Sequence, residues 1–78
     1  MKEQVIAYII EIVKDITKTK VELNKDTDIF KDTGMDSLDA IELISKLEEK
    51  YNITVPDTEI SDIHTVEDAA DIVCKYVK

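Results

Sequence analysis

The sequence predicts an all-α fold, a four-helix bundle of three longer helices and one short one. Three observations lead there. Isoleucines and valines recur at helical spacing in three separate stretches. The chain has one glycine, one proline and 5% aromatics, too few for a turn-rich β fold. Polar segments of very different length separate the stretches, which implies one long connection.

The first helix is expected from about Glu3 to Thr17. Val5, Ile9, Ile12 and Ile16 fall on one face, and Ile6, Ile10 and Val13 widen it. Residues 18–36 lose the period and read as a loop pinned by Leu23, Ile29 and Phe30. So long a loop in a small domain is functional or packed on the core. The second helix is expected from Ser37 to Tyr51, capped by Asp36 or Ser37 and with Asp39 in its first turn. Its core side is Ala40, Leu43, Ile44, Leu47 and Tyr51. Ile53-Thr54-Val55 is too short for a strand and is read as loop with two core contacts. Residues Asp57 to Ile63 have room for one helical turn. The last helix runs from about Val66 to Val77, with Thr65 as cap and Asp68 where a capping box places its acid. Val66, Ala69, Ala70, Val73 and Val77 form its buried stripe.

Seventy-eight residues make a single domain with a small core. No apolar run approaches the ~18 residues of a membrane span. The N-terminus lacks a signal-peptide layout, and one cysteine rules out an internal disulfide. The expectation is a monomeric cytoplasmic protein. Eighteen acids against ten lysines give −8, the reverse of a nucleic-acid footprint. The acidity is concentrated: residues 1–20 carry four lysines and three acids, and residues 21–78 carry six lysines and fifteen acids. Such a field steers association with basic protein patches.

The second helix has an anomaly. At about 100° per residue, Leu38 lies opposite Leu47 and points to solvent beside Ser37. Ile41 lies on the boundary, and Asp36, Asp39 and Glu42 ring the two. An apolar centre with a charged rim is the layout of a docking site. If Asp36 caps the helix, the Ser37 hydroxyl is free, in the field that helix N-termini offer to anions. Gly34 just before it permits a sharp bend.

On these residues the chain resembles the acyl carrier protein family. The stretches that carry the resemblance are GMDSLDAIELISKLEEKYNITVPD and HTVEDAADIV, and with the first helix and loop it spans essentially the whole chain. The resemblance implies a four-helix bundle whose Ser37 carries covalent 4′-phosphopantetheine, added from coenzyme A by a phosphopantetheinyl transferase. It implies a carrier with no catalytic activity of its own. Such a carrier holds acyl intermediates as thioesters and delivers them to fatty-acid, polyketide or related biosynthetic enzymes. Asp36, Leu38, Asp39, Ile41, Glu42 and Glu49 would be its docking residues. Twelve isoleucines and seven valines suit an interior that shelters aliphatic cargo.

There are departures from the family pattern. Thr33 replaces the leucine that many fatty-acid carriers have before the glycine, and Ser45 replaces a methionine on the Leu38 face. Lys46 and Lys50 interrupt an acidic helix, and Lys46 has the spacing to pair with Glu42 and Glu49. These features suggest a dedicated pathway. A peptidyl or aminoacyl carrier is the nearest alternative. Peptidyl carriers commonly have two glycines before the serine and lack the acid at the position of Asp39. A D-alanyl carrier often has methionine in place of Leu38. A non-modified acidic adaptor is the remaining reading.

Other chemistry fits less well. An EF-hand loop begun at Asp26 would meet Phe30, Lys31 and Ser37 where it needs an oxygen ligand, a glycine and a glutamate, so no metal site is expected. Gly34 to Leu38 lacks the second glycine of a nucleophile elbow. His64, the one histidine, is read as structural or solvated, and Cys74 as a partly buried small apolar residue.

Overall fold

A computed structural model describes residues 1–77. Among them are four helices: α1 (Lys2–Thr17), α2 (Ser37–Tyr51), α3 (Asp57–Ile60) and α4 (Val66–Tyr76). The order and number are those expected. α1 packs chiefly on α4 and to a lesser extent on α2. Val5, Ile9 and Val13 of α1, Leu43 and Leu47 of α2, and Val66 and Val73 of α4 are fully buried between them.

Three boundaries differ by small amounts. α1 begins at Lys2. α3 stops at Ile60, because the N–H groups of Asp62 and Ile63 turn back to the carbonyls of Glu59 and Ile60 in tight three-residue turns. α4 stops at Tyr76, and Val77 is extended. The α1 and α2 ends both close through a left-handed residue, Lys18 at φ 57° and Asn52 at φ 54°. Ile16 and Tyr51 are half-buried, not fully in the core; Tyr51 meets Tyr8 edge-on at 6.0 Å. Ile72 and Met35 are buried and join the core, though the helical stripes do not include them.

The loop of residues 18–36 is bound to the N-terminus of α4. A helix leaves its first N–H groups without intrahelical partners. Here each has one. The Val66 N–H donates to the Thr27 carbonyl at 3.1 Å, and the Glu67 N–H to the Lys25 carbonyl at 2.9 Å. The Asp68 N–H donates to the Thr65 hydroxyl, while the Asp68 carboxylate accepts from the Thr65 and His64 N–H groups. The Ile29 N–H donates to the His64 carbonyl at 2.8 Å, and Asp28 and Thr65 form an isolated antiparallel bridge. Buried Thr27 completes the arrangement by accepting from the Asn24 N–H. Ile29, fully buried, anchors the loop to the core.

Beyond that anchor the loop coils on itself. Asp28 accepts from the N–H groups of Lys31 and Phe30, and Asp32 accepts from the N–H of Asp28. These bonds hold the Asp28 carboxyl below its ordinary value, the Lys31 N–H contributing most. The Thr33 hydroxyl donates to the Ile29 carbonyl. After α2, the Glu48 carboxylate accepts from the Val55 N–H at 2.8 Å and fixes the return toward α3. Val55 is buried and Ile53 half-buried, the two core contacts expected of that loop.

The α4 cap yields a prediction. Thr65→Ala should lower stability by ~1 kcal/mol, the usual cost of a lost N-cap, measured as a shift of the urea midpoint at unchanged slope. The N–H donors at Thr65 hold the Asp68 carboxyl below its ordinary 3.8. A depressed native value contributes stability that is whole above the unfolded value and disappears as pH falls through the native one. Asp68→Ala should therefore lower the midpoint more at about pH 7 than at strongly acid pH.

Candidate functional site

The site is the turn that starts α2. Gly34, at φ 77°, supplies the left-handed bend that a side chain resists. Met35 then inserts into the core and fixes the position of the following residues. Asp36, in extended conformation, is the N-cap. Its carboxylate accepts from the Asp39 N–H at 2.9 Å, and the Asp39 carboxylate reaches back to the Asp36 N–H at 3.4 Å. This reciprocal box meets the need for a cap without Ser37. Among the described residues, no hydrogen bond engages the Ser37 hydroxyl, and Ser37 is exposed. Ser37 and Leu38 are the first residues of α2, where the positive end of the helix dipole faces solvent.

Leu38 is 74% exposed, as its helical phase requires, and Ile41, on the boundary by phase, is 55% exposed. Asp36, Glu42 and Glu49 are exposed on the same helix, while Asp39 is half-buried in the cap. Asp39 therefore serves the helix start first and the surface charge second. The ion pairs open to Lys46 by spacing do not form. Those among the described residues belong to Lys2, Lys18 and Lys75. Lys46 instead lies along the groove between α1 and α2 with Tyr8 and Glu11. Lys50 stands 5.3 Å from the Tyr8 ring centre, a cation–π contact. Glu42 and Glu49 thus keep their charge for solvent or a partner.

Beside Ser37 opens an apolar cavity of about 490 Å³, lined by Phe30, Met35, Ala40, Ile41, Ile60 and Ile63, with Asp36, Ser37, Ser61 and His64 at polar positions. Sequence patterning did not reveal it, because its walls come from the loop, α2 and the α3 segment together. His64 is exposed, and its backbone serves the loop–α4 contact on both sides. Asp28 and Asp32 direct carboxylate oxygens at loop N–H groups. Cys74 is half-buried beside the core.

An exposed, uncommitted hydroxyl at a helix start, next to an aliphatic cavity, fits a phosphate ester that continues as a flexible chain. Comparison with known proteins gives the same class: the family model for a phosphopantetheine attachment site matches residues 7–73. The chain belongs to the acyl carrier protein family, whose members bear covalent 4′-phosphopantetheine. It is 39% identical over 74 residues to an acyl carrier protein of Chlorobium phaeobacteroides, covering 88% of this chain and 95% of that one. It is 41% identical over 73 residues to the chloroplastic acyl carrier protein 2 of Hordeum vulgare, covering 87% of this chain and 57% of that one. The chain spans about half the length of the chloroplastic relatives it matches. The crystal structure of an acyl carrier protein from Thermotoga maritima superposes with a TM-score of 0.79 at 33% identity, covering 95% of this chain and 87% of that one.

Because Asp36 caps α2 and Ser37 does not, the two residues should respond differently to truncation. Asp36→Ala should lower stability by ~1 kcal/mol, whereas Ser37→Ala should stay within about 0.5 kcal/mol of the parent. Urea unfolding followed by far-ultraviolet circular dichroism measures both.

Proposed function

We propose that this chain is an acyl carrier whose Ser37 hydroxyl is the attachment point of the 4′-phosphopantetheine arm, and that residues 1–78 form one carrier domain. The observation that carries the reading is the division of roles at the start of α2. Asp36 and Asp39 satisfy the helix, which leaves the Ser37 oxygen exposed and unbonded. A phosphopantetheinyl transferase can reach that oxygen, and the positive end of α2 favours the phosphate charge that results. The arm supplies a terminal thiol that holds an acyl group as a thioester. The cavity walled by Met35, Ile41, Ile60 and Ile63 takes up aliphatic cargo from the same side. The chain itself contributes binding and presentation, and the reactions belong to the enzymes it visits, those of fatty-acid, polyketide or related synthesis.

Docking is assigned to the exposed face of α2. Leu38 and Ile41 form the apolar centre, and Asp36, Asp39, Glu42 and Glu49 the acidic surround, which suits a basic patch around a partner's active-site entrance. Small apolar contact area with charge around it favours fast, weak association, which lets several enzymes share one carrier. Among the described residues no helix is long and apolar enough to cross a membrane. Relatives come from bacteria and from chloroplasts, so the role is not tied to one compartment. The single free thiol suits a reducing interior, and a monomer in the cytoplasm is part of the same proposal.

Two outcomes are expected. Incubation with coenzyme A and a broad-specificity phosphopantetheinyl transferase should add one arm to the parent chain and none to Ser37→Ala, read by intact mass. Glu42→Lys should slow association with a basic partner enzyme by about threefold or more at low salt, and added salt should slow the parent toward the variant. Stopped-flow association rates measure this, and rates insensitive to both changes would contradict the docking assignment.

A further inference from the structure

α3 is held in place by little of its own. It has four residues, no side-chain cap and no buried residue. A helix this short is not stable alone. Its position depends on contacts made elsewhere, and one side chain makes the polar ones. Glu59 accepts from the Tyr76 hydroxyl and from the Lys75 ammonium at 2.9 Å, both at the far end of α4. Glu59 is the more sheltered member of its ion pair, with 20% of its side chain exposed against 61% for Lys75. The hydrogen bond from the Tyr76 hydroxyl first, and that from the Lys75 ammonium second, hold the Glu59 carboxyl below its ordinary range. The next residue, Ile60, lines the cavity beside Ser37, as does Ile63 beyond it. One short helix therefore joins an ionic contact, at Glu59, to the cavity wall, at Ile60.

We propose that Glu59 is a specificity-determining residue: its bonds to Tyr76 and Lys75 fix α3 against α4, and so set how long an aliphatic chain the cavity accepts before α3 must move. The inference rests on the carrier reading above. Short cargo fits with the Glu59 contacts intact. Longer cargo displaces Ile60 and has to break them. Removing the contacts should therefore favour long cargo over short.

Glu59→Gln retains the side-chain volume and removes the charge, and Tyr76→Phe removes one donor without touching α3. In the unloaded protein, the amides of Ile60, Asp62 and Ile63 should exchange with deuterium about tenfold faster in either variant, the scale of one charge-assisted hydrogen bond, while α1 amides keep their rates. The double variant should add less than the sum of the two. The parent and both variants are then loaded with butyryl, octanoyl and dodecanoyl arms, loading is checked by intact mass, and thermal midpoints are compared. The stabilisation by dodecanoyl relative to butyryl should be larger in both variants than in the parent. Unchanged α3 exchange, or the same chain-length profile in loaded parent and variants, overturns the proposal. Absence of loading on the parent instead overturns the carrier reading, and this inference with it.

Discussion

The N-terminus of α4 is the constraint on which the rest of the molecule depends. Its first two N–H groups have no acceptor within the helix, and buried without one each would cost about 1–3 kcal/mol. The carbonyls of Lys25 and Thr27 supply those acceptors, and Thr65 supplies the next. The loop of residues 18–36 thus has one place to lie. Ile29 and Met35 can then be buried together, and the chain emerges at Gly34 pointing where α2 must start. The hydroxyl that defines the site is at the end of this sequence of dependences.

Within the site, polar residues are divided by role. Asp36 and Asp39 are adjacent to Ser37 and of types that compete with it as cap, and they take the capping bonds. Ser37 is the first helical residue, one place past the cap, so its hydroxyl is not called on for the capping bonds. The two acids beside the serine thus take the bonds that would otherwise compete for its hydroxyl. Asp39 illustrates the overlap: it is half-buried in the cap, yet it lies in the acidic surround of Leu38 and Ile41.

Much of this was legible from residue spacing. Period located α1, α2 and α4, because each buries one apolar stripe, and α2 and α4 also start on recognisable caps. The outward placement of Leu38 followed from its angle to Leu47, and the Asp-Ser-Leu turn with its flanking helix carried the resemblance to the acyl carrier family. The loop was less legible. Lys25, Thr27 and Thr65 are joined by backbone bonds, to which side-chain patterning is blind. Asp26, Asp28 and Asp32 are spaced like cation ligands, but Asp28 and Asp32 cap the backbone of their own turn. Met35 lies outside any helical stripe and is buried by tertiary contact alone. Lys46 has the spacing for two ion pairs and makes neither, lying instead along the groove between α1 and α2.

The closing residue of α1 also bears on how firmly the bundle is made. Lys18 adopts a left-handed backbone that a β-carbon disfavours, by roughly 1–2 kcal/mol, where glycine would rest at ease. Such a tension persists only where the surrounding packing outweighs it. The Lys18 N–H returns to the Lys14 carbonyl at 2.8 Å, so the strained residue also closes the helix and sends the chain out of α1 in one direction, toward the loop that reaches α4.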